Sequence, residues 1–322
     1  MKILITGGAG FIGSALTAFL SSSNHEVLTL DALIDSTYSA IVKKKRWKNM
    51  KKNLTNVEFL QFNLLNQSQI AKVPQIDAIV HLAAIPGLDL SWQNLNSYTD
   101  NNILGTKNII DLAIKRKAKL IHISTSSVYG DYASGNENQI CNPVSPYGVT
   151  KLAAENLVRA YANNNDLNFT ILRFFSIYGP GQRPDMGYEK FIHKILNNET
   201  IQVFGNGTAQ RSNTYLSDCL EAVSLALHSP HQSRAINIAG HELISVGRAI
   251  ETISKILDIQ PNVEYEPKRK GDQVVTSGET TLAESALRWK SQISFEDGIV
   301  NQIEICKTKK CQELAFKLFE QA

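Results

Sequence analysis

Apolar residues along the chain fall into short runs separated by stretches of helical period. Ile3-Leu4-Ile5, His25–Leu30, Val57–Gln61, Ala78–Leu82 and Lys119–Ser124 are too short for helices and read as buried strands. Between them, Ser14–Leu20 and the stretch from Asn102 to about Lys117 repeat their apolar positions at helical spacing. Recurring strand–helix alternation predicts an α/β fold: a doubly wound parallel sheet with helices on both faces. The rhythm breaks after residue 175. Residues 176–213 read as a loop-rich insertion with a turn at Gly205-Asn206-Gly207, and Thr214–His228 and Ala235–Ala239 return to the sheet. From Ile244 onward, helix patterns predict a smaller domain over the sheet's edge. The expected division is 1–175 for the sheet domain, rejoined at about 214–240, and 176–213 with 241–322 for the smaller one. The tail, Ile299–Ala322, reads as a charged amphipathic helix.

At 322 residues the chain is long enough for a full core with an annex. Its 33 basic and 30 acidic residues nearly balance, so no global field directs it to nucleic acid or a membrane surface. No apolar run is long enough to cross a bilayer, and Met1-Lys2 leads straight into the first strand, so a cytoplasmic protein is expected. Cys141, Cys219, Cys306 and Cys311 have no C-x-x-C spacing and no partnering histidine cluster, so they read as reduced thiols, and no metal site is expected. The basic run Lys43-Lys44-Lys45-Arg46-Trp47-Lys48, with Lys51 and Lys52, reads as a solvated helix face.

Chemistry enters at the first strand–helix junction. Thr6-Gly7-Gly8-Ala9-Gly10-Phe11-Ile12-Gly13 follows the first strand and opens a helix, with Asp31 closing the second strand. Glycines there let helix N-terminal amides approach a pyrophosphate, and an acid about 20 residues on accepts a ribose diol. This predicts a Rossmann domain that takes NAD; Asp31 would repel the 2′-phosphate of NADP. Leu82-Ala83-Ala84 offers small residues where a dinucleotide passes, while His81 reads as a buried, hydrogen-bonded histidine. Ser124-Thr125-Ser126-Ser127 leaves the carboxyl end of a strand, where open α/β sheets bind ligands. Tyr147 and Lys151 are four residues apart, on one helical face. A phenol is a weak base at neutral pH until a nearby cation favours its phenolate.

Taken together, these stretches resemble the extended short-chain dehydrogenase/reductase family, in its nucleotide-sugar epimerase branch. The resemblance runs to about residue 305. It also uses Tyr98, Asn102, Gly105-Thr106, Leu172–Pro180, Arg211–Asp218, and Arg269 with Gly271-Asp272. It implies Tyr147 as base, Lys151 as the partner that lowers its pKa, and Thr125 as the group holding the reacting sugar hydroxyl. Asn102 joins the cofactor-binding set by the same resemblance, and Ser176 the substrate-binding set. Arg211 and Arg269 would hold the diphosphate of a UDP-sugar, and a homodimer would form through the 102–117 and 147–163 helices. Dehydratases and decarboxylases of the branch carry an acid where this chain has Ser127. Reversible oxidation at a carbinol, which is epimerisation, remains.

The loop Gly179–Met186 is similar to that of UDP-glucuronate 4-epimerases, and so is Asp31–Tyr38 with the basic helix after it. This implies that Arg183 meets the sugar carboxylate, with Ser124, Thr125 and Ser126 sharing the task. Asp89 stands where such enzymes tend to carry arginine, and Asn63, Gly181-Gln182 and Ser212-Asn213 also depart from the pattern. UDP-glucose and UDP-N-acetylglucosamine 4-epimerases, or a nucleotide-sugar reductase, remain as alternatives.

Overall fold

The computed structural model describes residues 1–230 and 233–307. Seven parallel strands form the central sheet: β1 (Lys2–Thr6), β2 (Glu26–Leu30), β3 (Val57–Leu60), β4 (Ala78–His81), β5 (Lys119–Thr125), β6 (Phe169–Phe174) and β7 (Ala235–Ile238). Their order is β7-β6-β5-β4-β1-β2-β3, so the winding reverses between β1 and β4. A crevice opens at such a reversal, beyond the carboxyl ends of the strands.

Alternation along each strand builds two cores. Ile3 and Ile5 face one side with α1 (Phe11–Ser22), and Leu4 faces the other with α3 (Gly105–Arg116) and α4 (Pro146–Asn164). Both faces are covered, and that is why these strands read as continuous apolar runs. The helix expected from Asn102 begins as a π-helical turn at Thr99–Leu104 before α3.

A third core lies apart. It joins α5 (Gly187–Leu196), α7 (Val246–Leu257) and α9 (Phe295–Lys307) with the strand pair Ile201–Phe204 and Val263–Glu266. Residues 176–213 are thus less loop-rich than the sequence implied, because Ile192 and Ile195 give α5 a buried face. Between the seventh strand and α9 the chain also comes back to the large sheet. Ala283 and Leu287 of α8 (Thr281–Leu287), followed by Trp289, pack into the core that holds α1 and α6 (Leu216–His228). The indole of Trp289 donates to the carbonyl of Asp218 at 2.8 Å. The expected tail helix is realised as α9 up to Lys307; residues 308–322 lie outside those described. Among the described residues, no helix is long and apolar enough to cross a membrane.

The basic stretch forms α2 (Ala40–Asn53), but it is not simply solvated. Arg46, Trp47 and Met50 fall on one face at helical spacing and are 2%, 5% and 1% exposed. Arg46 donates to the carbonyls of Ala9 at 3.1 Å and Gly181 at 3.0 Å, so it ties the glycine turn to the Arg183 loop.

Candidate active site

The crevice is a cleft of about 410 Å³. One end is the β1–α1 turn. Gly7 has φ +74°, and a Cβ there would sit 2.9 Å from the Ala83 nitrogen; one on Gly13 would meet the Gly7 carbonyl oxygen at 2.2 Å. Only glycine allows this closeness. Gly10 caps α1 without a side-chain hydrogen bond, which leaves backbone N–H groups at the helix N-terminus for an anion. Asp31 accepts from the backbone nitrogens of Ala9 (3.0 Å) and Leu33 (2.9 Å), which fix its carboxylate on the cleft wall. Gly7, Gly10, Phe11, Ile12, Gly13, Asp31, Leu82, Ala83 and Ala84 all line this part. The cradle fits a dinucleotide.

Asn102 does not line the cleft. It is fully buried behind the wall, accepting from the Ile85 nitrogen at 2.7 Å and donating to the Ile85 carbonyl at 3.1 Å and to Thr150 at 3.1 Å. It shapes the loop after β4 rather than meeting a ligand. His81 bonds Thr6 at 2.7 Å and Thr106 at 3.0 Å. Burial and the Lys151 charge push its pKa down to about 3, so it is a neutral structural imidazole.

At the middle of the cleft stand Thr125, Ser126, Ser127, Tyr147 and Lys151. Pro146 opens α4 and Ser145 caps it, accepting from the Gly148 nitrogen at 3.1 Å. That cap places Tyr147 in the first turn and Lys151 one turn on. The Thr125 hydroxyl accepts from the Ser127 nitrogen at 3.1 Å and donates to the Ser127 hydroxyl at 3.2 Å, on the cleft wall that also carries the phenol of Tyr147. Lys151 donates to the Ile123 carbonyl at 2.6 Å, and burial lowers its pKa to about 8. Burial raises the Tyr147 phenol, while the neighbouring Thr125 hydroxyl and the Arg183 charge act against the rise. The protein alone therefore leaves Tyr147 above its ordinary value, and Lys151 is not the group that opposes burial. Tyr98 packs edge-on against Tyr147, with centroids 6.3 Å apart, and its hydroxyl holds the Pro86 and Gly87 carbonyls.

Ser124 also lines the cleft, but its hydroxyl donates to Glu155 at 2.6 Å. Glu155 is fully buried and takes a bidentate pair from Arg173, at 2.9 and 2.7 Å, and a bond from Arg159 at 2.9 Å. Burial alone would raise this carboxyl, yet Arg173 above all holds it below the usual range. The signal was present in the sequence: Glu155 follows Lys151 by four residues on the same stripe of α4.

At the far end are Ser176, held at φ +39°, and Arg183, whose guanidinium is set by two bonds to Asp185 at 3.0 and 2.8 Å. Lys43 lines the cleft too, near Asp31 and over the Tyr38 ring, a position hidden inside the basic run. Arg211 and Arg269 are absent from its walls. Arg211 is spent on the backbone carbonyls of Gln210, Gln273 and Val274, and so positions Gln273, which does line the cleft. Arg269 pairs with Asp89 and Asp272, each at 3.0 Å, and stacks over Phe204. Asp89 is thus occupied outside the cleft and does not oppose an anionic ligand within it.

Comparison with known proteins fits this geometry. Residues 3–239 match the model of the NAD dependent epimerase/dehydratase family. An uncharacterized UDP-glucose epimerase, YtcB of Bacillus subtilis, is 36% identical over 310 residues, covering 94% of this chain and 97% of that protein. A UDP-glucuronate 4-epimerase of Thermodesulfobacterium geofontis is 34% identical, with 94% and 95% covered. Among solved structures, the UDP-glucuronic acid 4-epimerase of Bacillus cereus, in complex with UDP-glucuronic acid and NAD, superimposes with a TM-score of 0.90. It is 34% identical, and the match covers 95% of this chain and 99% of that one.

Proposed function

The chain belongs to the NAD dependent epimerase/dehydratase family, and from that premise we propose that it interconverts UDP-glucuronate and UDP-galacturonate through a transient 4-keto sugar. The observation that carries the substrate is the placement of two charges: Arg183 is on the cleft wall with Thr125 and Tyr147, while Asp89 is bound to Arg269 outside it. A uronate therefore meets a guanidinium whose second terminal nitrogen is not used by Asp185, and Asp89 is paired elsewhere. Solved relatives with UDP-glucuronic acid and NAD support the same reading.

In this mechanism Tyr147 takes the proton of the sugar O4, and Thr125, on the same cleft wall, holds that oxygen. NAD+, held by Gly7, Gly10, Gly13 and Asp31, would supply reversible hydride chemistry at C4 and be conserved over the cycle. Lys151, which donates to the Ile123 carbonyl in the protein alone, would supply its cation to the phenol once cofactor and sugar fill the cleft. Arg183 fixes the carboxylate, aided by Ser126, because a 4-keto uronate is a β-keto acid and loses CO2 when its carboxylate bond aligns with the carbonyl. Ser127 supplies no acid, which disfavours elimination. Residues 1–175 would carry the cofactor, and the parts around the third core the UDP-sugar. A homodimer in the cytoplasm completes the proposal; Leu104 and Val149, 49% and 50% exposed near the start of α3 and α4, give that face its apolar surface.

The test is to supply purified protein with UDP-glucuronate and no added NAD, and to follow UDP-galacturonate. Turnover of UDP-glucose or UDP-N-acetylglucosamine with UDP-glucuronate ignored would refute the uronate reading. Release of reduced product with cofactor consumed would point to a reductase instead.

A further inference from the structure

Away from the cleft, α5 and α9 bring together three side chains that the epimerase chemistry does not use. Glu189 and His193 are one turn apart on α5, and Cys306 faces them from α9. The His193 Nε2 is 3.3 Å from Glu189 Oε1, and the Cys306 Sγ is 3.7 and 3.8 Å from the two carboxylate oxygens. All the donor atoms lie within 4.8 Å of one another. A tetrahedral ion with bonds of about 2.0–2.3 Å holds its ligand atoms ~3.3–3.6 Å apart. The carboxylate is therefore already at a tetrahedral edge distance from the imidazole, and almost so from the thiol.

We propose that Glu189, His193 and Cys306 form a three-ligand site for a divalent ion of the zinc class, with the fourth position open to water. Nitrogen, sulfur and oxygen donors at this spacing select zinc over magnesium or calcium, which favour oxygen alone. Binding releases the thiol proton to solvent, and the carboxylate and thiolate together balance the ion's charge. The ion has a way in, since the His193 side chain is 43% exposed while that of Glu189 is 12% exposed. Glu189 is also braced from behind: the Gln302 amide donates to its Oε2 at 2.9 Å, as outer partners of metal ligands commonly do.

The site would act as a staple. Gln302 also donates to the Gln182 side chain at 3.2 Å, which in turn accepts from the Glu189 nitrogen at 3.3 Å. Gln182 adjoins Arg183, so an ion joining α5 to α9 would stiffen the loop that presents the guanidinium to the cleft.

Cobalt reports the site without reference to turnover. Full-length protein freed of metal by chelator is titrated with Co2+. A single equivalent should give a thiolate-to-cobalt charge-transfer band in the near ultraviolet and strong visible bands, both abolished by Zn2+. Cys306→Ser should lose the ultraviolet band. His193→Gln, on a half-exposed side chain, should weaken binding at least ~10-fold while leaving the fold intact. At matched Zn2+, the wild-type Tm should rise by more than that of His193→Gln. Absence of the band in wild type, or its survival in Cys306→Ser, overturns the site whatever the enzyme's substrate proves to be.

Discussion

Glu155 offers the sharpest test of how the cleft is held together. Its side chain and that of Arg173 are 0% and 4% exposed, so neither charge has water to fall back on. Replacing Glu155 with Gln leaves the guanidinium buried with one amide oxygen and the Tyr129 hydroxyl, 2.7 Å away, as acceptors. Breaking a buried pair from one side costs about 3–5 kcal/mol, and the retained oxygen puts Glu155→Gln near the lower figure. Urea denaturation should show the midpoint falling with an unchanged slope. Arg173→Met should be destabilised too, but the double variant by less than the sum, because the second change removes the charge the first one stranded.

The pH dependence follows from the sign of the shift. The folded-state carboxyl is held below its unfolded value of about 4.3. Its stabilisation is then full above that unfolded value and lost as pH falls through the lower, folded one. The gap between wild type and Glu155→Gln should persist at pH 7 and narrow on acidification below about pH 4. A variant within ~1 kcal/mol of wild type at neutral pH would mean that the pair is no structural keystone. The same experiment reaches function through Ser124, which hangs from Glu155 beside Thr125.

The remaining predictions concern the chemistry itself. Tyr147→Phe should lower kcat by at least ~10²-fold with bound NAD content unchanged; near-normal turnover would remove the phenol from the mechanism. Lys151→Met should move the acid limb of the kcat profile to higher pH, since losing a cation disfavours the phenolate, and an unmoved limb would leave Lys151 a purely structural role. Arg183→Ala should reduce kcat/KM for UDP-glucuronate ~10–100-fold, matching the loss of a charge-assisted hydrogen bond. It should spare UDP-glucose and leak toward a UDP-pentose; equal losses on both sugars would contradict a carboxylate contact. Protein emptied of cofactor should bind NAD more tightly than NADP, and Asp31→Ala should narrow the gap, helped by Lys43 on the same wall. Calorimetric titration of both nucleotides decides it.

What the sequence made legible is what local spacing encodes. Short apolar runs located the sheet's strands to within a residue or so, except Phe169–Phe174, because a two-sided parallel sheet needs unbroken apolar stretches. The glycine turn with Asp31, and the Tyr147–Lys151 step, each lie within one stretch of strand and helix, so each motif is legible locally although the cleft gathers them from distant parts of the chain. The basic run misled because composition hides phase. Lys43, Arg46, Trp47 and Met50 share one face of α2, and a charge count treats them like Lys44 and Lys45 on the other.

The arginines divide along a physical line that no motif states. A guanidinium is free for a ligand only where the fold has not already supplied its acceptors. Arg211 has backbone carbonyls and Arg269 has two carboxylates, one of them from a residue 180 positions away. Arg183 also has a carboxylate, yet both of its bonds come from Asp185, two residues on. Those bonds use Nε and one terminal nitrogen, so they aim the group while the other terminal nitrogen keeps its donors. The same kind of long-range closure that pairs Arg211 with Gln273 and Arg269 with Asp89 also brings Cys306 to Glu189 and His193. The sequence reading found no histidine partner for that thiol because the partner is more than a hundred residues away, and only the third core closes that distance.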